Sequence, residues 1–366
     1  MGKKQTAQAA QTEKQGTKKS FWMGILVGFA VFTVAAGLAF SAYSIFSGSK
    51  GTVWEWARDV LGISEKDPAE ETVQYCYINT DGEVVIGERW ATVGDFNSGY
   101  APVMNDQKLW GMIDVNGVLA LEPQYPYISF FSEGLVAFAG QDEYFGYMNE
   151  DFEVVIEPSF YMASFFSEGV AAAFDSHTEK WGFIDSYGNW AIEPQWDDCF
   201  FFSDGICQVI NYVDADTEDG SGYTTESFYI NKKGETVFRT DRQTIGYFSE
   251  GLMAYLDANS QLKGFLNTQG KVALVAKWAN CLNFSEGLAA VMNDKMMWGF
   301  INAKGEQVID FLFTDCGSFT EGLAPVRDAN GLWGYIDQNG SWVIAPQFEE
   351  AYNFSEGLGI VRRVQK

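Results

Sequence analysis

Residues 332–358 read LWGYIDQNGSWVIAPQFEEAYNFSEGL. Two apolar-rich runs, 332–337 and 341–344, flank the Asn339-Gly340 step, which is the sequence signal of a β-hairpin. Pro346 then ends a strand or sits at a ladder edge, because it has no N–H to give to the ladder. Phe354-Ser-Glu-Gly357 closes the stretch with a tight corner, from which a further strand leaves.

That corner recurs. A phenylalanine three residues before a glycine returns at Phe96/Gly99, Phe131/Gly134, Phe166/Gly169, Phe202/Gly205, Phe248/Gly251, Phe284/Gly287, Phe319/Gly322 and Phe354/Gly357. Successive glycines lie 35, 35, 36, 46, 36, 35 and 35 residues apart, so the unit of explanation is a tandem repeat. One unit alone would expose its apolar face, and stacking on its neighbours buries it. The reading is an all-β array of about eight antiparallel β-meander repeats, each of about three short strands, over residues 73–366. A 35-residue unit is short for a four-stranded blade, which favours an open solenoid over a propeller-like ring.

Glycine stands at the hairpin turn in seven units (Gly82, Gly117, Gly188, Gly234, Gly270, Gly305, Gly340), where positive φ costs it little. Phe152 takes that place in the third, which predicts a different turn there. Acids precede the anchor glycine at Glu133, Glu168, Asp204, Glu250, Glu286, Glu321 and Glu356, and are read as acceptors for backbone N–H groups of the corner. Asp114, Asp185 and Asp337 share their place with Asn79, Asn149, Asn231, Asn267 and Asn302. Turn capping tolerates that mixture and catalysis does not.

Trp110-Gly111, Trp181-Gly182, Trp298-Gly299 and Trp333-Gly334, each followed by Ile and then Asp or Asn, combine with the Phe-Ser-Glu-Gly-Leu corner. In these motifs the chain resembles the bacterial WG-repeat family over roughly residues 74–364. Tyr75-Cys76, Phe145-Gly146, Ser227-Phe228 and Lys263-Gly264 depart from the Trp-Gly pattern. The resemblance implies an all-β repeat array and no catalytic residues.

Ahead of the array, residues 1–20 form a basic tail, and residues 21–46 are uncharged and mostly apolar. At 1.5 Å per residue this run exceeds the roughly 30 Å of a bilayer's hydrocarbon core, so it reads as a transmembrane α-helix, with a cleaved signal peptide as the rival. The preceding lysines place the N-terminus in the cytoplasm and the repeat domain outside it. Residues 47–72 hold a short amphipathic segment and a polar linker. The net charge is -25; the first twenty residues hold +4, leaving -29 for the rest, which excludes nucleic acid as a partner.

Little in the chain points to catalysis. His177 is the one histidine, no C-x-x-C pair exists, and the slots of Cys199, Cys207, Cys281 and Cys316 are held by alanine in other units. No catalytic residue, metal or cofactor is therefore assigned. The 46-residue interval carries an insertion at about 211–226, in which Asp214, Asp216, Glu218 and Asp219 form a polar loop read as a partner contact. Its Gly220 and Glu226 each fall one place late for a calcium loop. Trp190 and Trp342 follow the turn glycine at a place of mixed polarity and are candidate contact residues. The expected function is a membrane-anchored extracytoplasmic scaffold that binds an envelope or surface protein. The alternative is recognition of a cell-wall polymer, glycan or teichoic acid.

Overall fold

The computed structural model describes residues 75–214 and 223–364. Every regular element among them is a β-strand. Blade 1 is the meander Thr92–Val93, Tyr100–Met104, Trp110–Asp114 and Leu119–Tyr125. Blades 2 to 6 repeat it over residues 127–160, 162–196, 198–239, 243–278 and 280–313, each an antiparallel sheet of four strands. Four strands, then, not three, make a unit.

The expectation of an open solenoid is overturned by how the ends pair. The last sheet has seven strands, because Trp342–Ser355 serves two blades. Its first half pairs with Trp333–Asp337 to complete blade 7, and its second half pairs with Leu358–Arg363 to begin blade 8. Cys76–Ile78 then pairs with Leu358–Arg363 through Cys76↔Val361 and Ile78↔Gly359, and Val84–Ile86 is the outer strand. Strands from the two ends of the repeat array share one blade, so the array closes into a ring of eight blades.

The anchor phenylalanines are the wedges between blades. All eight are at most 2% exposed. Most meet, edge to face, an aromatic ring on the third strand of the preceding blade: Tyr77–Phe96 at 5.0 Å, Phe183–Phe202 at 4.9 Å and Tyr335–Phe354 at 4.7 Å. The five cysteines are buried, free thiols in the same interior.

The glycine of Trp-Gly has a steric cause. Trp110 faces Tyr125 while Met112 faces Leu121, so two residues of one strand span four of the next. A Cβ on Gly111 would come within 2.4 Å of the Leu121 carbonyl, and on Gly334 within 2.5 Å of the Ile344 carbonyl. In blade 4 the register runs Phe228↔Arg239 and Tyr229↔Phe238 without that bulge, and a phenylalanine fits where glycine would stand.

Phe152 does not change the turn as expected. It adopts φ 59°, and its N–H bonds to the Asn149 carbonyl at 2.9 Å, matching Gly82 with Asn79. Its ring is held against Tyr100 of blade 1 and the anchor Phe131 of its own blade, at 5.0 and 5.9 Å. This packing offsets the roughly 1 kcal/mol that a left-handed conformation costs a residue with a Cβ. No helix among the described residues is long and apolar enough to cross a membrane, and residues 21–46 lie outside them.

Candidate functional site

The corners place a repeated polar stitch where the blades meet. Glu133 and Gly134 both have positive φ (55° and 78°), and Ser132 and Leu135 exchange N–H···O bonds of 2.9 and 3.1 Å, which is a two-residue hairpin turn. The sequence reading had the acid serving its own corner. Instead it reaches the next blade: Glu133 accepts the Gly169 N–H at 2.9 Å, Asp204 that of Gly251 at 2.7 Å and Glu321 that of Gly357 at 2.9 Å. Glu356 accepts the Gly99 N–H at 2.8 Å, and the Ser355 hydroxyl donates to the Phe96 carbonyl at 2.6 Å, so the same stitch crosses the closure.

The Asp and Asn residues between third and fourth strands cap turns as read. Asp337 Oδ1 accepts the N–H groups of Asn339 and Ser341 at 2.9 and 2.8 Å, and these donors hold its carboxyl below the usual range.

One residue before each anchor phenylalanine, the first strands bring a second set of side chains together. Phe130 meets Phe165 at 5.0 Å, Phe165 meets Phe201 at 5.0 Å, and Phe201 meets Tyr247 at 4.9 Å. A side chain that touches its equivalents in both adjoining blades and still keeps solvent contact lies where the blades converge, on the inner circle of the ring. Blades 2 to 5 thus present an unbroken aromatic arc. Blades 6, 7, 8 and 1 fill the same places with Asn283, Ser318, Asn353 and Asp95.

Asp95 is the single charged member. Its side chain is exposed, yet the surrounding protein strips away enough water to push its carboxyl up to about 6. The signal was present in the sequence as aromatic-Phe doublets in four units and polar-Phe pairs in the other four. It is legible only when the repeats are read in columns.

Charge is spread unevenly along the ring. Residues 75–205 contain 22 acids against Arg89, Lys108 and Lys180, while residues 206–309 contain 12 acids against 9 basic residues. Lys180 is bound to Asp197 at 2.6 Å, and Arg89 lies over Trp90 at 5.3 Å. Glu122, Glu157 and Glu193 stand exposed at equivalent places before proline on the fourth strands of blades 1, 2 and 3.

Among the residues expected from sequence, Trp190 is half-buried against Phe160 of blade 2 at 5.8 Å. Trp342 is 42% exposed and packs on Phe313 of blade 6 at 5.9 Å. Both therefore cover the fourth strand of the blade before their own. Asp214 ends the strand Cys207–Asp214, whereas Asp216, Glu218 and Asp219 lie outside the described residues. His177 is an exposed turn residue 3.6 Å from Asp175.

Four-stranded meanders joined end to end by first-to-last pairing define a closed β-repeat ring of the propeller class. The model of the WG containing repeat matches residues 75–108, 110–143, 145–174, 181–211, 264–296, 298–333 and 333–363, and the chain belongs to that family. The matches pass over residues 212–263, where the insertion and Ser227-Phe228 stand, although a complete sheet forms there.

No curated protein matches. Solved structures similar to the chain include the computationally designed Ika8 protein (11% identity, 74% of this chain and 95% of that one, TM-score 0.44). BamB from Moraxella catarrhalis is another (9% identity, 80% and 99%, TM-score 0.43), as is Kluyveromyces lactis Hsv2p (13%, 68% and 96%, TM-score 0.40). At these scores the likenesses carry no weight, and the ring rests on its own strand pairing.

Proposed function

We propose that the chain is a non-catalytic docking scaffold that presents its acidic sector to a basic partner protein. The observation behind this reading is the concentration of 22 acids against three basic residues over residues 75–205. A closed ring holds those charges in fixed positions, so a complementary surface meets them without paying to order them. In this reading residues 21–46 tether the chain in the membrane, residues 1–20 are cytoplasmic, and the ring faces the extracytoplasmic side, where envelope or surface proteins are its partners.

Proximity labelling in the native cell tests sidedness and partners together. The expected outcome is labelling of extracytoplasmic proteins with basic surfaces, lost when Glu122, Glu157 and Glu193 are all changed to lysine in the full chain. Labelling of cytoplasmic proteins, or a set unchanged by the triple substitution, overturns the reading.

The alternative, a module for cell-wall glycan or teichoic acid, draws its support from the aromatic arc, since sugar rings stack on aromatic faces. Sedimentation of the full chain with purified cell wall, abolished by Phe165→Leu, is its expected signature.

A further inference from the structure

Asp95 and the aromatic arc together carry a more specific inference. The Asp95 carboxylate makes no hydrogen bond or ion pair among the described residues; only its backbone carbonyl is used, accepting from the Asn97 amide at 3.4 Å. None of the eight inner-circle places before the anchor phenylalanines holds a lysine or arginine that could neutralise it. The charged groups that act on it electrically are absent too: Tyr77 and Tyr335, whose phenols feel its charge, are neutral and bonded to the Gly94 and Tyr352 carbonyls at 2.8 Å. The ring thus keeps an exposed, unneutralised carboxylate in the same circle as Phe130, Phe165, Phe201 and Tyr247, whose faces carry negative quadrupole potential and whose bodies are apolar.

We infer that the inner circle binds a basic peptide segment, an arginine or lysine of which reaches Asp95 while its apolar neighbours lie on the aromatic arc. This rests on the docking reading above and adds to it where the partner is gripped. Charge complementarity selects the occupant: a carboxylate lacking a counter-ion, beside a sector of 22 acids and three bases, attracts cations and repels anionic polymers. The arc supplies what the acidic sector lacks, an apolar surface and cation–π faces that distinguish an organic cation from a metal ion. Asn283, Ser318 and Asn353 offer uncharged hydrogen-bonding groups to a peptide backbone on the remaining side.

The test uses the purified full chain and a short fluorescein-labelled peptide alternating arginine and leucine, read by fluorescence anisotropy, with a glutamine–leucine peptide as control. The basic peptide binds and the control does not. Asp95→Asn weakens binding by about tenfold or more, as loss of a charge-assisted contact should. Phe165→Leu, which keeps an apolar side chain of similar bulk, weakens it by about threefold or more through loss of the aromatic face. Glu157→Gln, on the outer strand, changes it less than twofold, a small share of a diffuse surface attraction.

Circular dichroism of each variant establishes that the ring is intact before its affinity is compared. Equal small losses for Asp95→Asn and Glu157→Gln would show attraction spread over the acidic surface, leaving the docking reading standing and removing the inner-circle site. Failure of the wild-type chain to bind the basic peptide at low salt would remove both.

Discussion

The junction between blades 1 and 2 differs from the other seven, and the difference shows what holds the ring together. Seven junctions carry a carboxylate from one corner to the anchor-glycine N–H of the next, from Glu133···Gly169 at 2.9 Å round to Glu356···Gly99 at 2.8 Å. At the remaining one Asn97 and Ser98 replace the serine and the acid, and no carboxylate among the described residues bonds the Gly134 N–H. Tyr100, Phe131 and Phe152 cluster there instead, with ring centroids 5.0 to 5.9 Å apart. Two departures from the repeat, a missing acid and a phenylalanine in a glycine's place, compensate each other. An interface of this fold can be closed by polar or by apolar contacts, provided the buried anchor phenylalanine is kept.

The contrast can be broken in graded steps, each read by chemical or thermal unfolding of the full chain. Phe131→Ala removes the wedge from the junction without a stitch and is expected to cost about 3–5 kcal/mol, with no polar contact to limit the damage. Phe152→Gly should lower stability by about 2 kcal/mol: relief of the left-handed strain returns roughly 1 kcal/mol, less than the aromatic packing it forfeits. A neutral or stabilising outcome would mean that the cluster does not replace the stitch. Glu250→Ala leaves the Gly287 N–H without the carboxylate 3.0 Å away and should cost about 1–2 kcal/mol, less than Phe152→Gly because water can reach the exposed corner.

A carboxylate of the opposite kind is Asp198, at the start of blade 4. Crowding removes its water and pushes it up to about 7, although the Cys199 N–H at 2.8 Å and the Tyr212 hydroxyl at 3.4 Å oppose the shift. The folded state therefore holds a proton that the unfolded chain releases near 4, so this group makes stability fall as pH rises from about 4 to about 7. Asp198→Asn should flatten that slope and raise stability at pH 8 by about 1 kcal/mol, well below the full shift because the side chain is only half-buried. A slope unchanged in the variant would assign the pH response elsewhere. The smallest effect is a gain: Ser98→Glu installs the missing acid opposite Gly134 and should add about 0.5 kcal/mol.

What could be read from the sequence followed from what repeats. The anchor phenylalanines, the positive-φ glycines of the hairpin turns and the Asp or Asn turn caps recur at fixed spacing, and each stands in its expected local role. The fourth strand was not legible, because the first strand of most blades is a two-residue element such as Thr92–Val93 or Asn280–Cys281, too short to show alternation. Nor was closure, which depends on Cys76–Ile78 meeting Leu358–Arg363, a pairing that no local pattern encodes. The role of the corner acids was half right: their chemistry was clear, but their partners stand in the next blade, 36 or more residues away in the chain. The inner circle was missed because aromatic residues are so common in this chain that four doublets do not stand out.

The shared eighth blade sets an order of events. Cys76–Ile78 is synthesised before every other strand of the ring and cannot find its partner until Val361 has been made, so the earliest strand of the ring is the last to be zipped. Until then the growing chain carries two bare sheet edges, one at each end of an otherwise stacked array, and such edges invite pairing with other chains. A chain cut short before Leu358 would keep seven blades' worth of side chains and lose its seal, and its fate would be assembly with its own copies rather than a slightly smaller ring.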